Sequence, residues 1–514
     1  MQQQHQAVLI LDFGSQYTQL IARRTRELKV FSEVLPFDTS LDRIRARNPI
    51  GLILSVGPES VYDAQAPVVQ DELFGMGIPV LGICYGMQFM MHRLGGSVEA
   101  GHGEYGRARA RVQAEGSALF AGLERDQQVW ASHGDRVLQA APGFVQTAES
   151  DGAPFTGVEN RERGLYGLQF HPEVHHTDHG SAILRNFLYG VCSAQGDWSL
   201  SSFVEQAIQE VRDQVGDAHV ICGLSGGVDS SVMALLLHRA LGDALTCIFV
   251  NNGVLRKGEV DEVIHRFRED YHLDVRLADS AEMFLSRLAG VTEPERKRKI
   301  IGETFIEVFE GEASRIEDAR FLAQGTIYPD RIESASVKGP SATIKTHHNV
   351  GGLPERMNLS LVEPMRDLFK DEVRAVGREL GLSAAFVGRH PFPGPGLAVR
   401  ILGEVTAERV AILQEADAIF ISELRAHDLY DSTAQAFVVL LPVQTVGVMG
   451  DQRTYESVAA IRVVTTTDFM TADWARLPDD FLALVANRIV NEVRGINRVV
   501  YDITSKPPGT IEWE

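Results

Sequence analysis

The sequence predicts an α/β protein built on parallel sheets over its first two-thirds, followed by a small α+β domain. Three observations predict it. Short apolar runs bounded by turn residues recur at 8–11, 50–54, 78–83, 220–222 and 244–250, as in strands buried on both faces. Helical patterns separate them, for example at 17–28 and 203–214, which is the alternation of βαβ units. Beyond 390 the order changes. Helical segments at 407–426 and 481–493 lie among β-rich runs at 437–441, 459–465 and 498–503.

A chain of 514 residues holds several domains, and we expect three, at 7–192, 200–390 and 391–514. A net charge of −20 argues against nucleic-acid binding, because phosphate backbones need clustered Lys and Arg. The four cysteines, Cys84, Cys192, Cys222 and Cys247, show neither metal-ligand spacing nor a dense disulfide pattern, which points to a reducing compartment. No run of about 18 apolar residues is present to span a membrane, and residues 1–6 lack the regions of a signal peptide. The expectation is a cytoplasmic protein without membrane or nucleic-acid partners.

The third apolar run leads into Gly82-Ile83-Cys84-Tyr85-Gly86-Met87-Gln88. A cysteine between glycines at a strand-to-helix corner is presented on a tight turn, and the helix N-terminus favours its thiolate. A lone cysteine is usually a small buried hydrophobe. Here a partner motif follows far along the chain, Gly167-Leu168-Gln169-Phe170-His171-Pro172-Glu173. His171 can serve as general base, and Glu173 can orient and charge-stabilise the imidazole. Together the two motifs resemble the class I (triad-type) glutamine amidotransferases. The resemblance implies that Cys84 attacks the glutamine carboxamide, giving a γ-glutamyl thioester and ammonia. It also implies that Gly57 supplies an oxyanion N–H beside that of Tyr85, and that Gln88 and residues 132–135 contact glutamine. His175, His176 and His179 read as the polar start of a helix. Residues 192–199 read as a linker.

The second sheet opens with Leu224-Ser225-Gly226-Gly227-Val228-Asp229-Ser230-Ser231, set between a buried strand and a helix. Glycines admit close approach of main-chain N–H groups, and the helix N-terminus favours negative charge. This is a phosphate cradle, and not the Walker A loop, since no lysine follows the glycines. It resembles the SGGxDS loop of ATP pyrophosphatases, which cleave ATP between the α- and β-phosphates. The fold implied is an adenine-nucleotide alpha-hydrolase-like sheet. Ser225, Gly226, Gly227, Val228, Asp229 and Ser230 would hold ATP, with Asp229 also placed for Mg²⁺. Val250, at the next strand end, would line the adenine. Asn251 stands where the family usually has Asp, which weakens any carboxylate role there. Arg296, Lys297, Arg298 and Lys299 form a basic run on a helix expected at 293–309, read by default as a solvated face. Lys345, in a glycine-bounded loop, and Lys370, in the first turn of a helix, are candidates for pyrophosphate.

His390-Pro391-Phe392-Pro393-Gly394-Pro395-Gly396 is a rigid, turn-rich boundary. Apolar strands beyond it suggest cover by a second copy. Three segments, 390–400, 448–462 and 506–514, closely resemble the GMP synthetase family, and with them the resemblance covers nearly the whole chain. It implies that Arg400, Arg453 and Lys506 put cations on the phosphate of XMP, that Glu512 meets its base, and that the third domain dimerises. The substrates implied are XMP, ATP and glutamine. Two other readings stay open: another amidotransferase-fed ligase with a different acceptor, and a non-catalytic sensor that kept the folds.

Overall fold

The computed structural model describes residues 5–101, 103–113, 115–316, 318–335, 359–449, 452–466, 469 and 471–514. The described residues divide into two compact units, one within Met1–Phe203 plus Tyr328–Thr346, the other within Val204–Ile327 plus His347–Glu514.

The first unit is organised on one mixed sheet. Its strands are β1 (Ala7–Asp12), β2 (Phe31–Pro36), β3 (Gly51–Leu54), β4 (Val80–Ile83), β6 (Glu104–Val112), β7 (Asp126–His133), β9 (Val145–Ser150), β10 (Gly157–Asn160) and β11 (Leu165–Leu168). A separate ribbon joins β5 (Ser97–Glu99) to β8 (Arg136–Gln139). The sheet order is β2-β1-β3-β4-β11-β10-β9-β6-β7. The first five strands are parallel and the rest antiparallel. The expectation of a parallel sheet therefore holds for half of it. β3 and β4 are buried at every residue, as apolar runs require. β6 alternates between exposed and half-buried positions over most of its length, so it offers no apolar run to read.

In the second unit β12 (His219–Gly223), β13 (Leu245–Asn251), β14 (Asp274–Asp279), β15 (Ala319–Ala323) and β16 (Ser360–Val362) form a wholly parallel sheet, in the order β14-β13-β12-β15-β16. The chain starts at the central strand and builds outward on both sides. The end of β12 is therefore the switch point where ligands bind in such sheets. A second sheet contains β17 (Gln435–Met449), β18 (Gln452–Thr465), β19 (Asp473–Trp474) and β20 (Ile496–Asp502). β17 and β18 make one long antiparallel hairpin, longer than the two short runs expected. Helix Ala407–Ala426 has the expected bounds. Residues after β15 form a helix, Tyr328–Ala335. One buried cluster joins the two sheets of this unit, from Ile221 and Ile248 to Val438, Ile461 and Ile496. Among the described residues no helix is long and apolar enough to cross a membrane.

At the start of the C-terminal region His390 is buried and stacks on Tyr430, ring centroids 3.8 Å apart. Its Nε2 donates to the main-chain oxygens of Tyr430 (3.0 Å) and Thr433 (3.1 Å), and Nδ1 is buried without a hydrogen-bond partner among the described residues. A second proton on Nδ1 would bury a charge with no acceptor among the described residues. Burial thus pushes the imidazole down to about 4 from 6.5, against the pull of the two carbonyls. The unfolded chain takes up a proton near 6.5 and the folded chain does not. This contribution is therefore complete above pH 6.5 and is lost as pH falls toward 4. We expect thermal unfolding to show wild type losing up to about 3 kcal/mol relative to His390→Gln over that window.

Candidate functional site

Cys84 follows β4 and caps helix Tyr85–Arg93 with φ of 52° and ψ of −106°, a region that side-chain-bearing residues rarely enter. The turn closes because its flanks lack side chains. A Cβ on Gly86 would lie 2.3 Å from the Leu54 carbonyl oxygen, and one on Gly82 would lie 2.6 Å from the Gly86 main chain. Cys84 N–H donates to Leu168 O at 2.7 Å, and Gly86 N–H to Ser55 O at 3.1 Å. Cys84 is thus fixed by main chain at the ends of β3, β4 and β11.

β4 and β11 are parallel neighbours, so the residues after β11 arrive beside Cys84. His171 and Glu173 are both fully buried, with Nδ1 2.7 Å from Glu173 Oε1. Burial alone pulls the imidazole toward its neutral form. The Glu173 carboxylate and the Cys84 sulfur outweigh it, and the pKa of His171 stands well above 6.5. His171 Nε2 is shielded and has no hydrogen-bond partner within geometric limits among the described residues, with the Cys84 sulfur the group that acts on it from that side. Tyr17 packs on the ring at 4.8 Å, and Arg24 donates to the Glu173 carbonyl at 3.0 Å. Nothing in the sequence marked these two supports. Gly57 lies against the Tyr85 ring, its Cβ position 3.0 Å from Cγ. Gln88 Nε2 donates to Asp135 O at 2.7 Å. The residues named from the sequence in this unit therefore meet in one place. His179 precedes helix Gly180–Arg185 and faces Gln127 Oε1 at 2.7 Å, while His176 packs on Trp130.

The loop after β12 forms the second constellation. Ser225 Oγ and Ser230 Oγ are 2.9 Å apart, and Ser230 and Ser231 hydroxyls donate to Gly227 O at 3.1 and 2.7 Å. Gly226 takes φ of +76°, with Val263 only 2.8 Å from a Cβ position. Val228 and Asp229 open helix Val228–Leu241. Lys370, the first residue of helix Lys370–Glu379, meets Asp229 Oδ2 at 2.6 Å. Asp229 Oδ1 is shielded and without a hydrogen-bond partner among the described residues, which suits a hard cation. Val250 is buried in the core at the end of β13. Asn251 ties the strand end instead of offering charge: Oδ1 accepts from Gly253 N–H (3.1 Å) and Nδ2 donates to Asp279 (2.9 Å). Lys345 lies outside the described residues.

The third group is brought together only in part. Arg400 ends the turn Gly396–Arg400, is 1% exposed, and forks onto Glu512 at 3.1 and 2.8 Å. Its guanidinium lies 4.1 Å from the centroid of Phe437. Gln435, which the sequence did not single out, donates to the same carboxylate at 2.7 Å. Lys506 donates to Phe469 O at 2.7 Å. Arg453 stands apart, exposed at the β17–β18 hairpin. It is about 30 Å along β18 from Arg462 at the usual strand rise. Arg462 donates to the carbonyls of Thr504 and Thr510, next to Lys506 and Glu512.

Three family profiles match the chain: glutamine amidotransferase class-I over residues 9–191, NAD synthase over 199–263, and GMP synthase C terminal domain over 422–513. Proteins named as glutamine-hydrolyzing GMP synthases match it throughout. That of Phenylobacterium zucineum is 58% identical, with 99% of each chain covered. That of Carboxydothermus hydrogenoformans is 56% identical, again over 99% of each. That of Aquifex aeolicus is 56% identical over 99% of this chain and the whole of its own. With such identity over both full lengths, the chain belongs to the glutamine-hydrolyzing GMP synthase family.

Proposed function

We propose that the chain is a ligase that makes GMP from XMP, ATP and glutamine, with ammonia freed in the first unit and captured in the second. The observation that carries this reading is the buried His171–Glu173 pair beside Cys84 in one chain with a serine- and glycine-built phosphate loop. Cys84 adds to the glutamine carboxamide as a thiolate, its proton already held on His171. The oxyanion is met by the N–H groups of Tyr85 and Gly57, and Gln88 helps shape the glutamine pocket. His171 returns the proton to the departing ammonia. Water then cleaves the thioester to glutamate.

In the second unit the C2 oxygen of XMP bonds to the α-phosphorus of ATP and pyrophosphate leaves. Ammonia then adds at C2 and AMP leaves, giving GMP. Ser225, Gly226, Gly227, Val228 and Ser230 hold the phosphates, with Val250 toward the adenine and Lys345 and Lys370 toward the pyrophosphate. Asp229 Oδ1 would hold Mg²⁺, which supplies charge neutralisation when bound. Arg400 and Lys506 face the XMP phosphate, Arg400 by exchanging part of its bond to Glu512, and Glu512 meets the base.

We further propose three domains, at 7–192, 200–390 and 391–514, and a homodimer through the last. Two features support the dimer. Val443, Val446, Val448 and Tyr455 are exposed on the hairpin, and Arg453, remote from Lys506 of its own chain, would complete the site of a second copy. The nucleotide substrates and four unpaired cysteines support a cytoplasmic location.

The test is ATP consumption with a panel of acceptors under excess ammonia. XMP is expected to yield AMP, pyrophosphate and GMP. Consumption driven by another acceptor, with none from XMP, overturns the reading.

A further inference from the structure

The basic run on helix Pro294–Ala313 is not wholly a solvated face. Arg296 and Lys299 are exposed, but Lys297 is fully buried. An ammonium has three donors, and here all three are met. Lys297 Nζ donates to Glu514 Oε2 at 2.5 Å, Ile401 O at 2.7 Å and Ala398 O at 3.3 Å. Arg298 donates to the main-chain oxygen of Glu514. Burial lowers the proton affinity of Lys297, and Glu514 offsets that only in part, so the net shift is downward.

What matters is which atoms the amine joins. Ala398 and Ile401 bracket Arg400, and Arg400 grips Glu512 with both arms of its fork. Glu514 lies two residues beyond Glu512. One ammonium therefore holds both sides of the Arg400–Glu512 pair from behind. The segment 510–514 belongs to no strand or helix, so side-chain bonds of this kind set its place. A buried charge is a poor way to gain stability alone, because a hydrophobic side chain of the same volume serves as well or better.

We propose that Lys297, assisted by Arg298, is a positioning residue for the nucleotide site: it fixes where the Glu512 carboxylate meets the purine base. This rests on the reading that Glu512 recognises XMP. Lys297 touches no substrate in this scheme and acts through Glu514 and the 398–401 turn.

The test uses the full-length enzyme with ammonia as nitrogen donor. In Lys297→Met the KM for XMP is expected to rise about tenfold or more, while the KM for MgATP stays within about twofold. Glu514→Gln is expected to move the XMP KM the same way by less. The double variant is expected to be no worse than Lys297→Met, because both remove one contact. Glu514→Gln and Arg298→Gln carry the test if Lys297→Met does not fold. An unchanged XMP KM with only a lowered melting temperature overturns the proposal, as does an equal rise in both KM values. Glu512→Gln separates the layers. If it leaves the XMP KM unchanged, the assignment of Glu512 falls, and the proposal with it. If it raises that KM while Lys297→Met does not, only the positioning role falls.

Discussion

Replacing Cys84 by alanine is expected to remove glutamine-driven GMP formation, by about four orders of magnitude or more, and to leave ammonia-driven formation near wild type. The reason is the division of labour between the units. In the proposed scheme the thiol is the atom that bonds to the carboxamide carbon, and no other described side chain is placed to replace it. Gln169 Nε2 and Ser132 O are its polar neighbours, at 3.9 and 3.7 Å, and neither is a nucleophile. The turn around Cys84 is held by main-chain bonds to Leu168 and Ser55, so loss of the sulfur leaves the fold intact. Parallel assays with glutamine and with ammonium salts at raised pH read both activities. Equal loss of the two would refute the separation of release from capture.

Asp229→Asn is expected to lower both activities together, by about two to three orders of magnitude. The substitution keeps the shape of the side chain and removes its charge. Oδ2 then no longer neutralises Lys370, 2.6 Å away, and the shielded Oδ1 position no longer offers the negative charge proposed to hold Mg²⁺. Every route to GMP passes through cleavage of ATP, so the nitrogen source makes no difference. Pyrophosphate release with XMP and ammonia measures the step directly. Persistence of ammonia-driven turnover at wild-type rates would remove Asp229 from the ATP site.

The amidotransferase site was legible because its constraints act on neighbouring letters. Gly82 and Gly86 are demanded by main-chain contacts closer than any Cβ allows, and the strands that carry Cys84 and His171 are continuous apolar runs. Other parts carried no such signal. The antiparallel strands β6, β7, β9 and β10 lie on a sheet that the parallel pattern foretold only in its other half. Along β6 the alternation of exposed and half-buried residues mimics a polar loop. The outer half of the β17–β18 hairpin is mostly exposed from Val443 to Val448, so hydrophobicity could not mark it as strand. Lys297 looked like its neighbours Arg296 and Lys299 because its burial comes from residues about a hundred and two hundred positions away. The wide gap between Arg453 and Lys506 was equally hidden, since motif order says nothing of strand length.

The buried cluster that runs from Ile221 and Val250 to Leu397, Ile461 and Ile496 has a mechanical meaning. Ile221 lies three residues before the phosphate loop, and Leu397 three before Arg400. Interiors packed as densely as crystals pass displacement on instead of absorbing it. On the proposed sites, seating one nucleotide would press on the floor beneath the other, so that the two halves of this unit would act as a single anvil, not as two tools joined by a strap.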